Sequence, residues 1–149
     1  MFLGKRNYNG LSDRQIELCQ LTWDFLCDEH KRPLEVDEAR QHGSRTRFVE
    51  DTGIVHLGAD VYPGSGTSAN SRMSIVACLA HELSHVERFE RGYKRPIEMP
   101  DMLIDEAETS LNASFMPHLS QRDREDLIED ARDRLIQWLA MGNTQGGEK

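Results

Sequence analysis

Several things are scarce in this chain of 149 residues. It has three cysteines, Cys19, Cys27 and Cys78, too few and too irregularly spaced for a disulfide scaffold, a redox pair or a cysteine metal cluster. Cys19 and Cys27 fall instead in a helical apolar pattern, as core residues do, and unpaired thiols suit the cytoplasm. No apolar run reaches the length of a membrane span, and the stretch from Met1 to Gly10 lacks a signal-peptide pattern, so no membrane partner is expected. Positive charge is in deficit. Eighteen Lys and Arg against 26 Asp and Glu leave a net charge of -8, the wrong sign for direct nucleic-acid binding. The basic cluster of Arg88, Arg91, Lys94 and Arg95 alternates with Glu87 and Glu90 and reads as a solvated helix face. With no internal repeat and no domain linker, residues 1–149 are expected to form a single domain.

What is present is 38% hydrophobic and 30% charged, arranged in periodic segments. Ser12 is placed to cap a helix running to about Glu29, with Ile16, Cys19, Trp23, Phe25 and Leu26 as its apolar stripe. Pro33 to Val36 suggests a short strand, and Glu35 to Gln41 one or two helical turns. Thr46 to Val49 and Gly53 to Leu57 read as two strands of a hairpin. The Gly, Ser and Pro of residues 60–70 predict the longest flexible connection, after which Ser71 is a candidate cap for a helix ending before Gly92. Asp101 opens a further helix closed by Pro117, and Ser120 with Asp123 opens the last one, bearing Leu127, Ile128, Ala131, Leu135, Trp138 and Leu139. Those apolar residues predict a core-facing helix, ended by Gly142 and followed by a disordered tail at 141–149. The expected class is α+β, with about four main helices and a small sheet.

The chemistry concentrates in His81-Glu82-Leu83-Ser84-His85. Histidines four apart on a helix leave the same face about 6 Å apart along the axis, a spacing at which two imidazoles share one zinc ion. Glu82 is turned about a third of a turn away. It is poorly placed to be a ligand but well placed to act as general base on a water held at the metal's open side. Chance supplies only about 0.02 such matches in a chain of this composition. Flanking Ala77, Leu79, Ala80 and Leu83 would bury the histidines, and buried histidines need partners.

A catalytic zinc site requires a third protein ligand, and Asp105, Glu106 and Glu108 compete for the role. At 100° per residue, Leu103, Ala107, Ser110 and Ser114 form a mostly small face that Glu106 borders; Asp105 points away from it, and Glu108 lies nearer Ile104, Leu111 and Phe115. If that face abuts the metal helix, Glu106 is the ligand.

From Gly53 to Pro117 the chain resembles the small HExxH zinc metallopeptidases of the ImmA/IrrE type. In these a glycine-led strand precedes a loop, the metal helix, and a helix reading approximately E-A-N-x-F-A-A-x-L-L-M-P. Glu106, Ala107, Met116 and Pro117 match that pattern in order and spacing, and Phe115 is a conservative change; Glu108 and Ser110 depart from its Asn and Phe. The resemblance implies a zincin-like domain, Glu106 as third ligand, Zn2+ as cofactor, and a protein or peptide substrate such as a transcriptional repressor. The strand at Gly53 to Leu57 would be an edge on which an extended peptide docks. His56, Tyr62 and Tyr93 are further candidates for substrate or oxyanion contacts. Cys78 is expected to pack, and His30, His42 and His118, which lack ligand spacing, to be solvated.

Overall fold

The computed structural model describes residues 4–147. The elements in chain order are β1 (Gly4–Lys5), α1 (Asp13–Cys27), β2 (Leu34–Glu35), β3 (Arg47–Val49), β4 (Ile54–His56), one 3-10 turn (Ala59–Val61), β5 (Ser65–Gly66), α2 (Ala69–Arg72), α3 (Ile75–Glu90), α4 (Asp101–Ala113) and α5 (Gln121–Gly147). This is an α+β domain, with four long helices beside small sheets.

Local signals explain the helix starts. Ser12 caps α1 in a reciprocal capping box with Gln15. Ile16, Cys19, Trp23 and Cys27 form its buried stripe, spaced so as to fall on one face. Phe25, which the sequence reading included, lies half a turn from Ile16 and is exposed, with its ring edge against His118. Ser74, not Ser71, caps α3: its Oγ accepts from Ala77 N at 3.1 Å and donates to Asp123 Oδ1 at 2.7 Å. Ser71 belongs to the separate single turn α2 and is buried, its hydroxyl donating to the Ser68 carbonyl.

In the three-stranded sheet β4 is central, parallel to β2 and antiparallel to β3, with Phe48 opposite Val55. The hairpin reading of β3 and β4 holds. The edge reading of β4 does not, because β2 occupies the side left open to a peptide. Residues 35–41 form successive turns closed by Ala39 N to Val36 O and Gln41 N to Glu38 O; these three-residue steps never become a helix. Nor is the segment 60–70 a loose loop. Arg6 donates to the carbonyls of Asp60, Val61, Asn70 and Met73, while β5 pairs with β1.

α3 lies at the centre, with residues Leu79 to Val86 all buried. α4 packs most extensively on α5 and next on α3. Carboxylates of α5 reach the N-termini of two other helices: Asp126 Oδ2 accepts from Ser74 N at 3.3 Å and Asp133 Oδ2 from Ala69 N at 3.1 Å. Negative charge there answers the unpaired amides and dipole of a helix start. The expected core role of α5 extends only over its first half. Leu127 and Ala131 are buried, but Ile128, Leu135, Ile136 and Leu139 lie on the outward face and are exposed, and Trp138 is half-buried. The helix also runs through Gly142 to Gly147 in place of the expected tail. One glycine costs a helix only about 1 kcal/mol, and neither proline nor a competing cap follows it. Residues 148–149 lie outside the described residues.

Candidate metal centre

Two helices build this site. α3 supplies His81, Glu82 and His85, all buried. The two imidazoles, one helical turn apart, stand edge to face with centroids 4.7 Å apart. α4 presents its small face, with Leu103, Ala107, Ser110, Ala113 and Ser114 buried, and so brings Glu106 against both rings. Glu106 Oε1 is 2.7 Å from His85 Nε2, and Oε2 is 3.5 Å from His81 Nε2. The rival carboxylates go elsewhere. Asp105 is buried and paired with Arg88 and Arg95, and Glu108 is exposed, 3.9 Å from Arg88.

Proton accounting fixes the state of both histidines. A hydroxyl has one proton to give. Ser110 Oγ gives its proton to Asp130 Oδ2 at 2.7 Å, so at 2.7 Å from His81 Nδ1 it can only accept. Thr109 Oγ1 gives its proton to the Asp105 carbonyl and likewise faces His85 Nδ1, at 3.4 Å. Each ring is therefore disposed to carry a proton on Nδ1, which leaves Nε2 facing Glu106 to take a second proton or a metal ion.

Two lone pairs and a carboxylate in a buried space repel one another unless a cation lies among them. A proton answers this only in part. Burial lowers the proton affinity of His81, but the facing Glu106 carboxylate more than offsets that, so its pKa rises. His85 falls to about 4, through burial and the neighbouring His81, against its contact with Glu106. Burial pushes the Glu106 carboxyl up, yet the two imidazoles hold it well below the usual carboxylate range. A metal ion satisfies all three donors at once. Their ligand atoms lie within 4.8 Å of one another, and bonds of about 2.0–2.1 Å in tetrahedral array need donors about 3.3 Å apart. Small side-chain adjustments close that gap. The buried group of His81, His85 and Glu106 can hold a metal ion.

No protein-family model, curated protein or solved structure matches this chain. The site must be read from its own chemistry.

Two nitrogens and one carboxylate oxygen leave a four-coordinate ion one open position. A cavity of about 140 Å3 reaches the donors, lined by His81, Glu82 and Glu106 with Arg134, Asp60 and Cys78 among its other walls. Burial raises the Glu82 carboxyl to about 7, the neighbouring His81 opposing the rise. Burial also drives the Cys78 thiol up to about 12, so it stays protonated and is not one of the ligand atoms.

Around the donors stands a charged shell that periodicity does not reveal. Arg95 Nη2 lies 3.1 Å from Glu106 Oε1, and Arg134 Nη1 lies 3.5 Å from Glu106 Oε2. Asp130 receives both the Ser110 hydroxyl and, at 2.9 Å, Arg134 Nε. Only the four-residue spacing of Asp130 and Arg134 carries a local signal of this shell. The weaker sequence candidates do not line the cavity. His56 sits on β4 opposite Glu35 and Arg47, with a buried Nδ1 that makes no hydrogen bond. Tyr62 packs against the core, and Tyr93 lies exposed under the Arg88 guanidinium, 4.1 Å from its centre. His30, His42 and His118 are exposed. No helix among the described residues is long and apolar enough to cross a membrane.

Proposed function

We propose that this protein is a zinc-dependent hydrolase, most specifically a peptidase acting on a protein partner. One observation carries the reading: Glu82 lines the same small cavity as His81 and Glu106, although it is not one of the donors. A structural metal site has no use for a second buried carboxylate beside its open position, whereas hydrolysis needs a base there.

Two histidines and a glutamate are a donor set suited to zinc. When bound, the ion supplies Lewis acidity, bringing a water's pKa towards about 7 and polarising a carbonyl. The remaining work falls to the chain. His81 and His85 are held at Nδ1 by Ser110 and Thr109, with Nε2 turned towards Glu106. Glu82, whose carboxyl sits at about 7, takes the water's proton and delivers it to the leaving amine, with its basicity matched to neutral pH. The resemblance of residues 53–117 to the ImmA/IrrE metallopeptidases supports the same chemistry and suggests a repressor as target. An extended substrate would add to the outer edge of β3, since Arg45 and Thr46, which lead into that strand, line the cavity. Three free thiols suit a reducing cytoplasm.

The test compares native protein with Glu82→Gln. Both are expected to retain about one zinc per chain by elemental analysis, because Glu82 is not a donor. In cells, new protein N-termini that depend on the native protein are expected to vanish with Glu82→Gln, since loss of a general base costs about 10²–10⁴-fold in rate. A native protein that stays metal-free in zinc removes the metal reading. Full biological activity in zinc-loaded Glu82→Gln removes the peptidase.

A further inference from the structure

Arg134 is an unusual cation. Its side chain is 13% exposed, yet its charge is not spent on one partner. Nε donates to Asp130 Oδ2 at 2.9 Å, and Nη1 stands 3.5 Å from Glu106 Oε2, too far for a good hydrogen bond. Nη2 makes no hydrogen bond to any described residue. A guanidinium has five donors in a rigid fork, and those of Arg134 left without a partner are open to solvent, not sealed in the core. Here they border the cavity shared by His81, Glu82 and Glu106.

We propose that Arg134 is a catalytic residue that binds the oxyanion formed when the substrate carbonyl is attacked. This rests on the hydrolase reading above. Asp130 holds the fork at Nε, so its outer N–H groups are fixed before substrate arrives, which is what makes such stabilisation effective. A cavity of about 140 Å3 has room for a substrate carbonyl and its neighbouring atoms, and Arg134 is among the residues that line it beside His81, Glu82 and Glu106. The Arg6 guanidinium, held by four backbone carbonyls, adds a further cation to the same wall, which also carries Asp60. Glu82 then handles the proton while Arg134 meets the negative oxygen.

The test uses inorganic phosphate, a tetrahedral anion, with the full chain loaded with cobalt(II), whose visible spectrum reports changes at the ion. Phosphate is expected to perturb the native spectrum saturably. Arg134→Met is expected to weaken phosphate about 10–100-fold, the worth of a charged hydrogen bond, with cobalt affinity kept; Arg134→Lys, which keeps the charge without the fork, is expected to lose less. Arg45→Met, at an exposed position on the same cavity, is expected to stay within about twofold because solvent screens it. If Arg134→Met does not fold, Arg134→Lys decides: unchanged phosphate affinity overturns the proposal. So do a native cobalt spectrum indifferent to phosphate, equal losses in Arg45→Met and Arg134→Met, or a loss of cobalt affinity in a folded Arg134 variant, which would make the residue a brace for Glu106. A native chain that binds neither cobalt nor zinc removes the hydrolase reading itself.

Discussion

Replacing Ser110 with alanine tests whether the histidine tautomers are set from outside the metal centre. The hydroxyl lies 2.7 Å from both His81 Nδ1 and Asp130 Oδ2. Its removal leaves a buried imidazole N–H without an acceptor, while Asp130 keeps its bond to Arg134 Nε. An unsatisfied buried donor costs about 1–3 kcal/mol. The ring escapes part of that cost by moving its proton to Nε2, the atom that faces Glu106, and a metal must then displace it. Either route weakens binding, and loss of such a supporting partner typically costs about 10–100-fold in metal affinity, or about 1.4–2.7 kcal/mol. Competition against a chromophoric chelator at neutral pH measures this directly. Ser84→Ala is the control: that hydroxyl is equally buried between α3 and α4 and accepts from Asn112 Nδ2 at 2.9 Å, but touches neither histidine. Zinc affinity in Ser110→Ala equal to that of Ser84→Ala would refute the tautomer argument.

Two further outcomes follow from buried charge. The Glu82 carboxyl is raised from 4.5 to about 7, so the folded metal-free protein holds this proton more tightly than the unfolded chain. Its contribution is then intact below about pH 4.5 and lost as pH rises through about 7, a difference worth about 3 kcal/mol. Metal-free Glu82→Gln should accordingly be more stable than native protein at pH 8 and match it near pH 4.5 in urea titrations; equal stability at both would show that the carboxylate is well solvated. Burial outweighs Arg88 and Arg95 and raises the Asp105 carboxyl, and both arginines keep other partners, so Asp105→Asn should lower the unfolding free energy by only about 1 kcal/mol. A loss below about 0.5 kcal/mol, the range of ordinary surface changes, would mean that the pair is idle.

How much could be read beforehand depended on the range of the interaction. The caps at Ser12 and Ser120 are contained within four residues and were legible, as was the face of α4 that turns Glu106 inwards, since a helical wheel needs only the sequence. Ser71 and Ser74 are equally good caps on paper; what separates them is Asp123 on α5, which receives the Ser74 hydroxyl. The same distance hid Asp130 and Arg134, whose roles exist only once α5 lies along α4. Position β4 was misjudged for a similar reason: two residues of β2, far too short to stand out, pair with it from the other side. Leu135, Ile136 and Leu139 look like core from composition and are exposed.

That α5 reaches back to the metal centre puts an order on how the site comes into being during synthesis. The chain is made from its N-terminus, so His81, Glu82 and His85 are synthesised before Asp130 and Arg134. Until then nothing receives the Ser110 proton, and Ser74 has no Asp123 to hold the start of α3. A nascent chain carrying the whole histidine motif thus lacks the partners that complete the candidate metal centre until the last helix docks. Were the chain to cleave proteins as proposed, such late assembly would spare its own unfolded segments.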